Sequence, residues 1–382
     1  MSNLTETLPV IDVDVFLSAD ETSLQFQEEC KNVCLTIDIG AADLPRTQAA
    51  NALITYGALL LHDSRVSEDD NDAFLDLMED YFAQPLIDLQ RDERPELFYQ
   101  VGVTLENIEK PKCAVDESCQ SIIARLDPAE RPLDILGNHR DPKCRFFWKM
   151  GTPPPYKTEY PALNAPNVIP QAPTLKEAWK SIMEKWGRSM KVAVEDVAEM
   201  VAIGLGLPRE IFKDAGKYGP HLLAPTASDL TKYGAKDTIL AGFHTDLNCL
   251  TIHGRSRFPG LNIWARNTGK RIPVRFPPTG RLLLVQAGKQ IEHLTGGIIK
   301  AGYHEVVVNT ATLETMAKRK ISHPNRPLIR ISSTFFWHLS SDYDLAPIPS
   351  LLERATVLHA TEAETSLGRL YPSMKVGQQV QK

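Results

Sequence analysis

The second half of the chain, from Phe243 to Trp337, is a series of short runs rich in β-branched, leucine and aromatic residues, separated by turns. The runs are CLTIH, GLNIWA, RIPVRF, RLLLVQA, HEVVVN and LIRISSTFFW, and glycines at 260, 269, 280, 296 and 297 punctuate them. Many short strands at regular spacing are typical of a sandwich or barrel of antiparallel strands. The segment Thr312–Asn325 interrupts the series and is predicted to be a charged, helical and exposed insertion.

The N-terminal third mixes strand and helix patterns. Leu8–Phe16 alternates apolar and acidic residues, which predicts a half-buried strand, and Gly57–His62 is a continuous apolar run that predicts a buried one. Ser67 and Asp70 resemble a helix-capping pair, followed by apolar residues at helical spacing until Pro85.

Residues 152–173 contain seven prolines, so this stretch is predicted to cross the molecule as an ordered but irregular segment. Thr174 and Glu177 then match a second capping box. Behind them, apolar residues from Trp179 to Val201 form one helical stripe. We expect a long helix that packs against a sheet.

One of the β-runs carries a pair of possible metal ligands. Residues two apart in a strand point to the same face, so His244 and Asp246 would direct both donors at one point. Two imidazoles and one carboxylate can hold Fe(II) on one triangular face and leave three positions open. A later β-run must supply the second imidazole, and the residues alone leave two candidates, His293 and His304.

The last β-run carries a possible carboxylate site. Alternation places Arg330 and Ser332 on one face of the strand, where the guanidinium offers a planar fork and the hydroxyl one further donor. Beside a ferrous centre this pair predicts a keto-acid cosubstrate. The alternative is that Arg330 pairs with a structural acid inside the barrel.

Together these segments resemble the iron(II)/2-oxoglutarate dioxygenases of the isopenicillin N synthase-like superfamily. In that family a His-x-Asp pair is followed by a strand, a turn of the LTGG type and a histidine before a Val-rich strand. LTGGIIKAGYHEVVVN is similar to this arrangement with His304 as the histidine, and RISSTFF looks like the family's Arg-x-Ser segment. LPVIDVDVF and FFWKMGTPPP also resemble its opening strand and middle crossing.

The resemblance implies an α+β protein with a mainly β core, a double-stranded β-helix (jelly roll) with supporting helices. It implies that His244, Asp246 and His304 are the catalytic iron ligands, and that Arg330 and Ser332 hold the C5 carboxylate of 2-oxoglutarate. Relatives often have an Asn or Tyr upstream of the His-x-Asp pair. The corresponding stretch here, HLLAPTASDL, lacks both, and Thr226 or Ser228 would have to substitute.

The implied activity is oxidation of an unactivated C–H bond of a small molecule, using dioxygen and 2-oxoglutarate, in secondary metabolism. The oxidation would be a hydroxylation, a desaturation or an oxidative cyclisation. One alternative is an Fe(II) oxidase or cyclase of the same superfamily that needs no 2-oxoglutarate. The other is a non-catalytic β-barrel protein that holds a metal.

We expect three regions. Residues 1–160 form an N-terminal strand and helix mixture packed on the core, residues 161–345 a helix plus the jelly-roll core, and residues 346–382 a C-terminal helix and tail over the opening. The side chains expected to select the substrate at the barrel mouth are Tyr99, Phe146, Trp148, Trp337, Arg255 and Arg257.

Composition restricts the partners and the setting. The formal net charge of -6 gives no basic field for a phosphate backbone, so nucleic acid is not an expected partner. The apolar runs are too short to span a bilayer, and the N-terminus lacks the basic start and apolar run of a secretory signal. The six cysteines contain no Cys-x-x-Cys pair, which predicts neither a zinc site nor a disulfide framework and favours a reducing, cytoplasmic location. The triplet His139-Arg140-Asp141 repeats the His-x-Asp pattern and is predicted to be a solvated turn.

Overall fold

The structure, a computed structural model, describes residues 7–20, 22–33, 52–110, 113, 115–135, 140–277, 281–358 and 371–381. His139, named above, lies outside these residues.

The strands in chain order are β1 (Val10–Asp12), β2 (Ala58–His62), β3 (Gly102–Thr104), β4 (Cys144–Lys149), β5 (Leu222–Leu223), β6 (Thr226–Asp229), β7 (Ile239–His244), β8 (Leu250–His253), β9 (Leu261–Trp264), β10 (Arg271–Pro273), β11 (Leu282–Ala287), β12 (Tyr303–Val307), β13 (Ile329–Ser332), β14 (Thr334–Trp337), β15 (Asp344–Leu345) and β16 (Met374–Lys375). The helices are α1 (Val13–Ser18), α2 (Leu24–Val33), α3 (Ala52–Tyr56), α4 (Glu68–Phe82), α5 (Leu86–Gln90), α6 (Glu117–Arg125), α7 (Pro173–Gly204), α8 (Ile211–Gly216), α9 (Leu230–Tyr233), α10 (Lys289–Leu294), α11 (Thr310–Ser322), α12 (Pro349–Leu358) and a last helix, Val376–Gln381.

The described residues form two main sheets. The larger has the order β1-β2-β11-β8-β14-β5-β4-β6-β13, with β3 paired to β4, and the smaller has the order β10-β9-β12-β7. All pairings in both sheets are antiparallel except that of β1 with β2. This is the α+β architecture with a double-stranded β-helix core that the sequence predicted. Strands from the first 160 residues extend the larger sheet instead of forming a sheet of their own.

Helix α7 packs against the larger sheet with its apolar stripe, as expected from the sequence. Trp179, Met183, Trp186 and Met190 are fully buried on this stripe and belong to the main hydrophobic core. The predicted capping box at Thr174 and Glu177 is wrong. The helix begins at Pro173, whose missing N–H suits the first turn, and the N-cap position is Ala172, which has no side-chain acceptor to form a capping box.

The other N-terminal expectations are confirmed in part. Ser67 caps α4 by accepting the amide N–H of Asp70, and Pro85 follows the helix as predicted. Leu8–Phe16 is only briefly a strand. After Val10–Asp12 the side chain of Asp12 accepts the N–H of Asp14 and begins α1, because an aspartate N-cap favours a helix over continued strand. The insertion is the helix α11, capped by Asn309 and Thr312.

Candidate metal centre and cosubstrate site

The two histidines lie side by side because β7 and β12 are hydrogen-bonded neighbours. The antiparallel register pairs His304 with His244 directly, and their ring centroids are 4.2 Å apart. Oδ1 of Asp246, two residues after His244, lies 3.8 Å from Nε2 of His244 and 3.9 Å from Nε2 of His304. One donor atom from each residue lies within 4.8 Å of the other two. Three donors of the types that bind a ferrous ion therefore converge on one point.

Hydrogen bonds orient each of the three donors. Nδ1 of His244 lies 2.6 Å from the carbonyl oxygen of Gly242, and Nδ1 of His304 lies 3.4 Å from that of Gly302. An Nδ1–H that donates to a carbonyl leaves the Nε2 lone pair available to a metal. The hydroxyl of Thr251 donates to Oδ2 of Asp246 at 2.6 Å, so Oδ1 is the oxygen that faces the histidines.

The electrostatics favour the protonation states that a metal needs. Burial, followed by the effect of the neighbouring His244, lowers the pKa of His304 below its ordinary value, so the imidazole is neutral. Burial by itself raises the pKa of Asp246, yet His304, His244 and the hydrogen bond from Thr251 lower it overall, so the carboxylate is ionised. Neutral imidazole and ionised carboxylate are the metal-binding forms.

The other candidate histidine lies elsewhere. His293 is buried in α10, where its ring lies 5.5 Å from that of Tyr371, and it is not part of the donor cluster. Among the described residues one other group could hold a metal ion, formed by Asp12, Asp14 and His62. These three side chains are about one third or more exposed, and they make hydrogen bonds near the edge strand β1.

Arg330 and Ser332 share a face of β13, as alternation predicted. Arg330 is 6% exposed, its Nη1 donates to Oγ of Ser332 at 2.8 Å, and its Nε donates to the carbonyl oxygen of Pro259 at 3.4 Å. Within the described part of the chain no carboxylate forms a salt bridge with it, and burial lowers the pKa of its guanidinium to about 10. The alternative interpretation, in which Arg330 pairs with a structural acid, is therefore not supported by the described residues. A buried cation without a countercharge is costly and is the usual sign of an anion site.

A cavity of about 450 Å³ adjoins the three donors. Its walls include His244, Asp246, His304 and Ser332, together with the apolar side chains of Leu222, Val306, Phe147 and Phe336. Ser332 and His253 also line a neighbouring cavity of about 800 Å³, onto which Arg330 opens. Val380 of the last helix also lines the first cavity.

Most of the side chains expected at the barrel mouth lie elsewhere. Phe146 and Trp148 are buried against Trp179 of α7, with ring centroids 4.9 and 6.5 Å away, and Trp337 is fully buried and stacks on His221. Arg257 pairs with acids of α4. Neither Tyr99 nor Arg255 lines this cavity.

The residues that take their place had no separate signal in the sequence. Phe147 and Phe336 form an aromatic pair with ring centroids 6.3 Å apart at 87°. Arg145 lies over the ring of Phe147, with its guanidinium carbon 3.8 Å from the ring centroid, and pairs with Glu109 at 2.6 Å. Thr226 lines the cavity, whereas Ser228 is buried in register with Arg330.

Two further expectations are corrected near this site. Asp141 is not part of a solvated turn. It is 4% exposed, and its Oδ1 accepts the backbone N–H of Gly242, two residues before His244, because this buried N–H needs a partner. Cys113 and Cys119 form a disulfide although their spacing suggested none. Helix α6 begins at Glu117 and brings their Cα atoms to 5.3 Å, a distance that a disulfide spans.

The comparisons with known proteins agree with this geometry. A family model described as "2OG-Fe(II) oxygenase superfamily" matches residues 217–339, the segment that holds all five site residues. This segment of the chain is therefore similar to the 2OG-Fe(II) oxygenase superfamily. Fe(II) and 2-oxoglutarate, the cofactors in the superfamily's name, fit the donor set and the unpaired buried guanidinium described above.

Individual members are only distantly similar. The chain is 23% identical over 175 residues to a flavonol synthase/flavanone 3-hydroxylase of Eustoma exaltatum subsp. russellianum, which covers 46% of either chain. It is 23% identical over 284 residues to a kihadalactone A synthase of Citrus sinensis, covering 71% of this chain and 76% of that one. The match spans about half the length of the flavonol synthases.

Two solved structures share the fold of this chain. The full-length T7H protein of Neurospora crassa in complex with alpha-KG superposes with a TM-score of 0.67 at 18% identity, covering 100% of this chain and 96% of that one. A 2OG-Fe(II) oxygenase family protein of Caulobacter crescentus superposes with a TM-score of 0.64 at 21% identity, covering 99% and 98%. No helix among the described residues is long and apolar enough to span a membrane.

Proposed function

We propose that this protein is an Fe(II)- and 2-oxoglutarate-dependent oxygenase that oxidises an unactivated C–H bond of a small molecule. The observation that carries this proposal is the convergence of His244, Asp246 and His304 on one point beside a buried arginine without a countercharge. The match of residues 217–339 to the 2OG-Fe(II) oxygenase family model supports it independently.

In this proposal Nε2 of His244, Oδ1 of Asp246 and Nε2 of His304 hold the iron. Bound Fe(II) with 2-oxoglutarate supplies the oxidising power for C–H cleavage from dioxygen, with succinate and carbon dioxide as coproducts. Burial keeps the imidazole of His304 neutral, and the Nδ1 atoms of both histidines face backbone carbonyls. Thr251 holds the second carboxylate oxygen of Asp246 and so prevents the carboxylate from turning away.

Arg330 and Ser332 would bind the distal carboxylate of 2-oxoglutarate. Two of the five guanidinium N–H groups of Arg330 are used by Ser332 and Pro259, so three remain for an incoming carboxylate. A hydrogen bond to a charged group contributes about 1.5–3 kcal/mol. This contribution selects a dicarboxylate over a keto acid that lacks the second carboxylate.

The substrate would enter the cavity of about 450 Å³ and present one C–H bond toward the three donors. Phe147, Phe336, Leu222 and Val306 exclude water from one side and hold an apolar body. Hydroxylation, desaturation or oxidative cyclisation would then depend on how the cavity orients the reacting carbon.

The test uses calorimetry and turnover together. The full chain is titrated with Mn(II), a redox-inactive stand-in for Fe(II), and then with 2-oxoglutarate. Succinate release is measured under Fe(II), 2-oxoglutarate and air with a panel of small molecules. We expect 2-oxoglutarate to bind only after the metal and with unit stoichiometry. Metal uptake with substrate oxidation but no need for 2-oxoglutarate would instead support an Fe(II) oxidase or cyclase, and a lack of metal uptake would contradict the proposal.

A further inference from the structure

Strand β4 presents two different faces to the molecule. Phe146 and Trp148 point into the core against α7, so Arg145, Phe147 and Lys149 lie on the opposite face. Arg145 and Phe147 line the cavity beside the three donors. Lys149 is the next residue on this face of the strand, although it does not itself line the cavity.

The neighbouring strand confirms the side on which Lys149 lies. Lys149 is in antiparallel register with Leu222 of β5, and cross-strand partners place their side chains on the same face of a sheet. Leu222 lines the cavity and packs with Phe147 and Phe336. The side chain of Lys149 is therefore directed to the cavity side of the sheet.

The ammonium group of Lys149 is buried and has no hydrogen-bond partner among the described residues. Burial lowers its pKa to about 7, and no nearby acid offsets this effect. The backbone of Lys149 is held on both sides by Asn167, whose side chain accepts its N–H at 2.6 Å and donates to its carbonyl at 2.9 Å. Burying this ammonium group costs free energy, and no acid or hydrogen-bond acceptor among the described residues offsets that cost.

A second polar group of the same wall lies close to Lys149. His338 is 6% exposed and lines the cavity. Burial, and after it the positive charge of Lys149, lowers the pKa of His338 to about 3. The two side chains therefore interact electrostatically, and His338 is part of the cavity wall.

Two buried or half-buried cations that line this cavity, Arg145 and Lys143, differ from Lys149 because acids neutralise them. Arg145 pairs with Glu109 at 2.6 Å, and Lys143 pairs with Asp141 at 2.7 Å. A ligand carboxylate would compete with a protein carboxylate for these two. At Lys149 it would supply the countercharge and the hydrogen bond that are lacking.

We propose that Lys149 binds a carboxylate of the substrate, so that the substrate is a small organic acid whose apolar body lies against Phe147 and Phe336. The inference rests on the proposed function in taking this cavity as the substrate cavity. It adds a substrate class and a specificity-determining residue.

The experiment compares carboxylic acids with their neutral amides. The probes are phenylacetate, 3-phenylpropanoate and cyclohexylacetate, each paired with its amide. Binding to the full chain loaded with Mn(II) and saturating 2-oxoglutarate is measured by calorimetry. Saturating 2-oxoglutarate keeps the probes from the Arg330 site. We expect at least one acid to bind tenfold or more tightly than its amide.

Three variants assign this preference to Lys149. In Lys149→Met, which keeps the length of the side chain without its charge, the ratio of acid to amide affinity is expected to fall below twofold. Lys149→Arg is expected to retain most of the ratio. Lys185→Met, at an exposed lysine that pairs with Asp70, is the matched control and is expected to retain all of it. Circular dichroism and thermal unfolding establish that each variant is folded.

The proposal is overturned if no acid of the panel binds the wild-type protein in preference to its amide, whether or not either binds. It is also overturned if the preference persists in Lys149→Met, or appears only when 2-oxoglutarate is left out. These outcomes are separate from those of the proposed function. A chain that takes up neither metal nor 2-oxoglutarate but prefers acids through Lys149 would contradict the oxygenase and leave the acid site standing.

Discussion

Two regions of this protein place cations away from water. In one region carboxylates neutralise the cations, and in the other they do not. In the Glu79 cluster (Glu79, Asp76, Asp80, Arg257, Arg319 and Arg326), the carboxylate of Glu79 is 1% exposed. It lies 2.9 Å from Arg319, 2.9 Å from Arg326 and 3.0 Å from Arg257. By contrast, Arg330 on β13 and the ammonium group of Lys149 on β4 are buried without any acid partner among the described residues.

The difference separates a structural role from a binding role. The Glu79 cluster joins α4 to α11 and to the segment before β13, and every cation in it has a carboxylate within reach. Such a cluster needs no ligand. Arg330 and Lys149 gain a countercharge only when an anion enters, so their cost in the free protein is consistent with binding.

The largest effect is expected from removing a metal donor. His304→Ala takes away one of three donors and is expected to weaken Mn(II) binding by more than about a hundredfold, beyond the 10–100-fold that loss of a supporting residue causes. Succinate release should fall below detection. Calorimetry and the coupled assay measure both effects. His293→Ala is the matched control, and equal losses in the two variants would contradict the assignment of His304.

The next effect concerns the Glu79 cluster. Glu79→Ala leaves three arginines partly without a countercharge and should lower the free energy of unfolding by about 3–5 kcal/mol. Asp80→Ala, at a carboxylate that is 50% exposed, should cost about 0.2–1 kcal/mol. Urea denaturation of both variants measures the difference. Similar costs for the two would mean that the cluster is not a structural unit.

Arg330→Met tests whether a buried cation without an acid partner affects stability differently from the cations of the Glu79 cluster. Without ligand the variant is expected to be at least as stable as the wild type, because it no longer buries an unpaired charge. With Mn(II) and 2-oxoglutarate at about a hundred times its Kd, the wild type should gain about 2.7 kcal/mol and the variant none. Arg330→Lys should bind 2-oxoglutarate weakly, since an ammonium lacks the planar fork. Thermal unfolding with and without 2-oxoglutarate measures this stabilisation. If 2-oxoglutarate stabilises Arg330→Met as much as the wild type, Arg330 does not bind the cosubstrate.

The burial of Lys149 should make the free energy of unfolding depend on pH. Burial lowers its pKa from 10.5 to about 7 in the folded protein, so between these values the unfolded chain binds more protons and stability rises with pH. The free-energy cost of burying the charged ammonium group is present in full well below pH 7. Relative to Lys149→Met, the wild type should gain about 3 kcal/mol of unfolding free energy between about pH 7 and pH 9.5, since one pKa unit corresponds to about 1.4 kcal/mol. Denaturation curves that run parallel for both proteins would show that Lys149 is solvated.

The smallest of these effects tests a neutral support of the metal centre. Thr251→Val removes the hydroxyl that donates to Oδ2 of Asp246 and should weaken Mn(II) binding by about 10–100-fold. Thr251→Ser keeps the hydroxyl and should bind like the wild type. If valine and serine behave alike in calorimetry, the hydrogen bond does not orient the carboxylate.

The local sequence was sufficient to predict which site residues share a face of a strand, because strand alternation alone determines this. His244 and Asp246, and likewise Arg330 and Ser332, are two residues apart, so the side on which each pair lies follows from the geometry of one strand. His304 needed more, because the choice between it and His293 depends on which segment pairs with β7. The family resemblance favoured His304, and the register of β12 places it opposite His244.

The aromatic residues of β4 show where local patterns fail. Alternation in the run CRFFWK separates an apolar face (Cys144, Phe146 and Trp148) from a mixed face (Arg145, Phe147 and Lys149), but it does not say that the mixed face is the one that meets the cavity. The choice of Phe146 and Trp148 for the cavity was wrong by one residue, and Phe147 lies there instead. Arg257 was misplaced for a related reason, since its acid partners are more than 170 residues away in the chain.

The amino-acid sequence by itself determined the strand-rich second half, the long helix α7 and the spacing of the possible metal and carboxylate ligands, because these depend on periodicities of two and 3.6 residues within single segments. The tertiary structure alone decided which histidine meets His244, which face of β4 lines the cavity and which buried cations are without an acid. Each of these depends on pairing between segments far apart in the chain, and no local pattern records it.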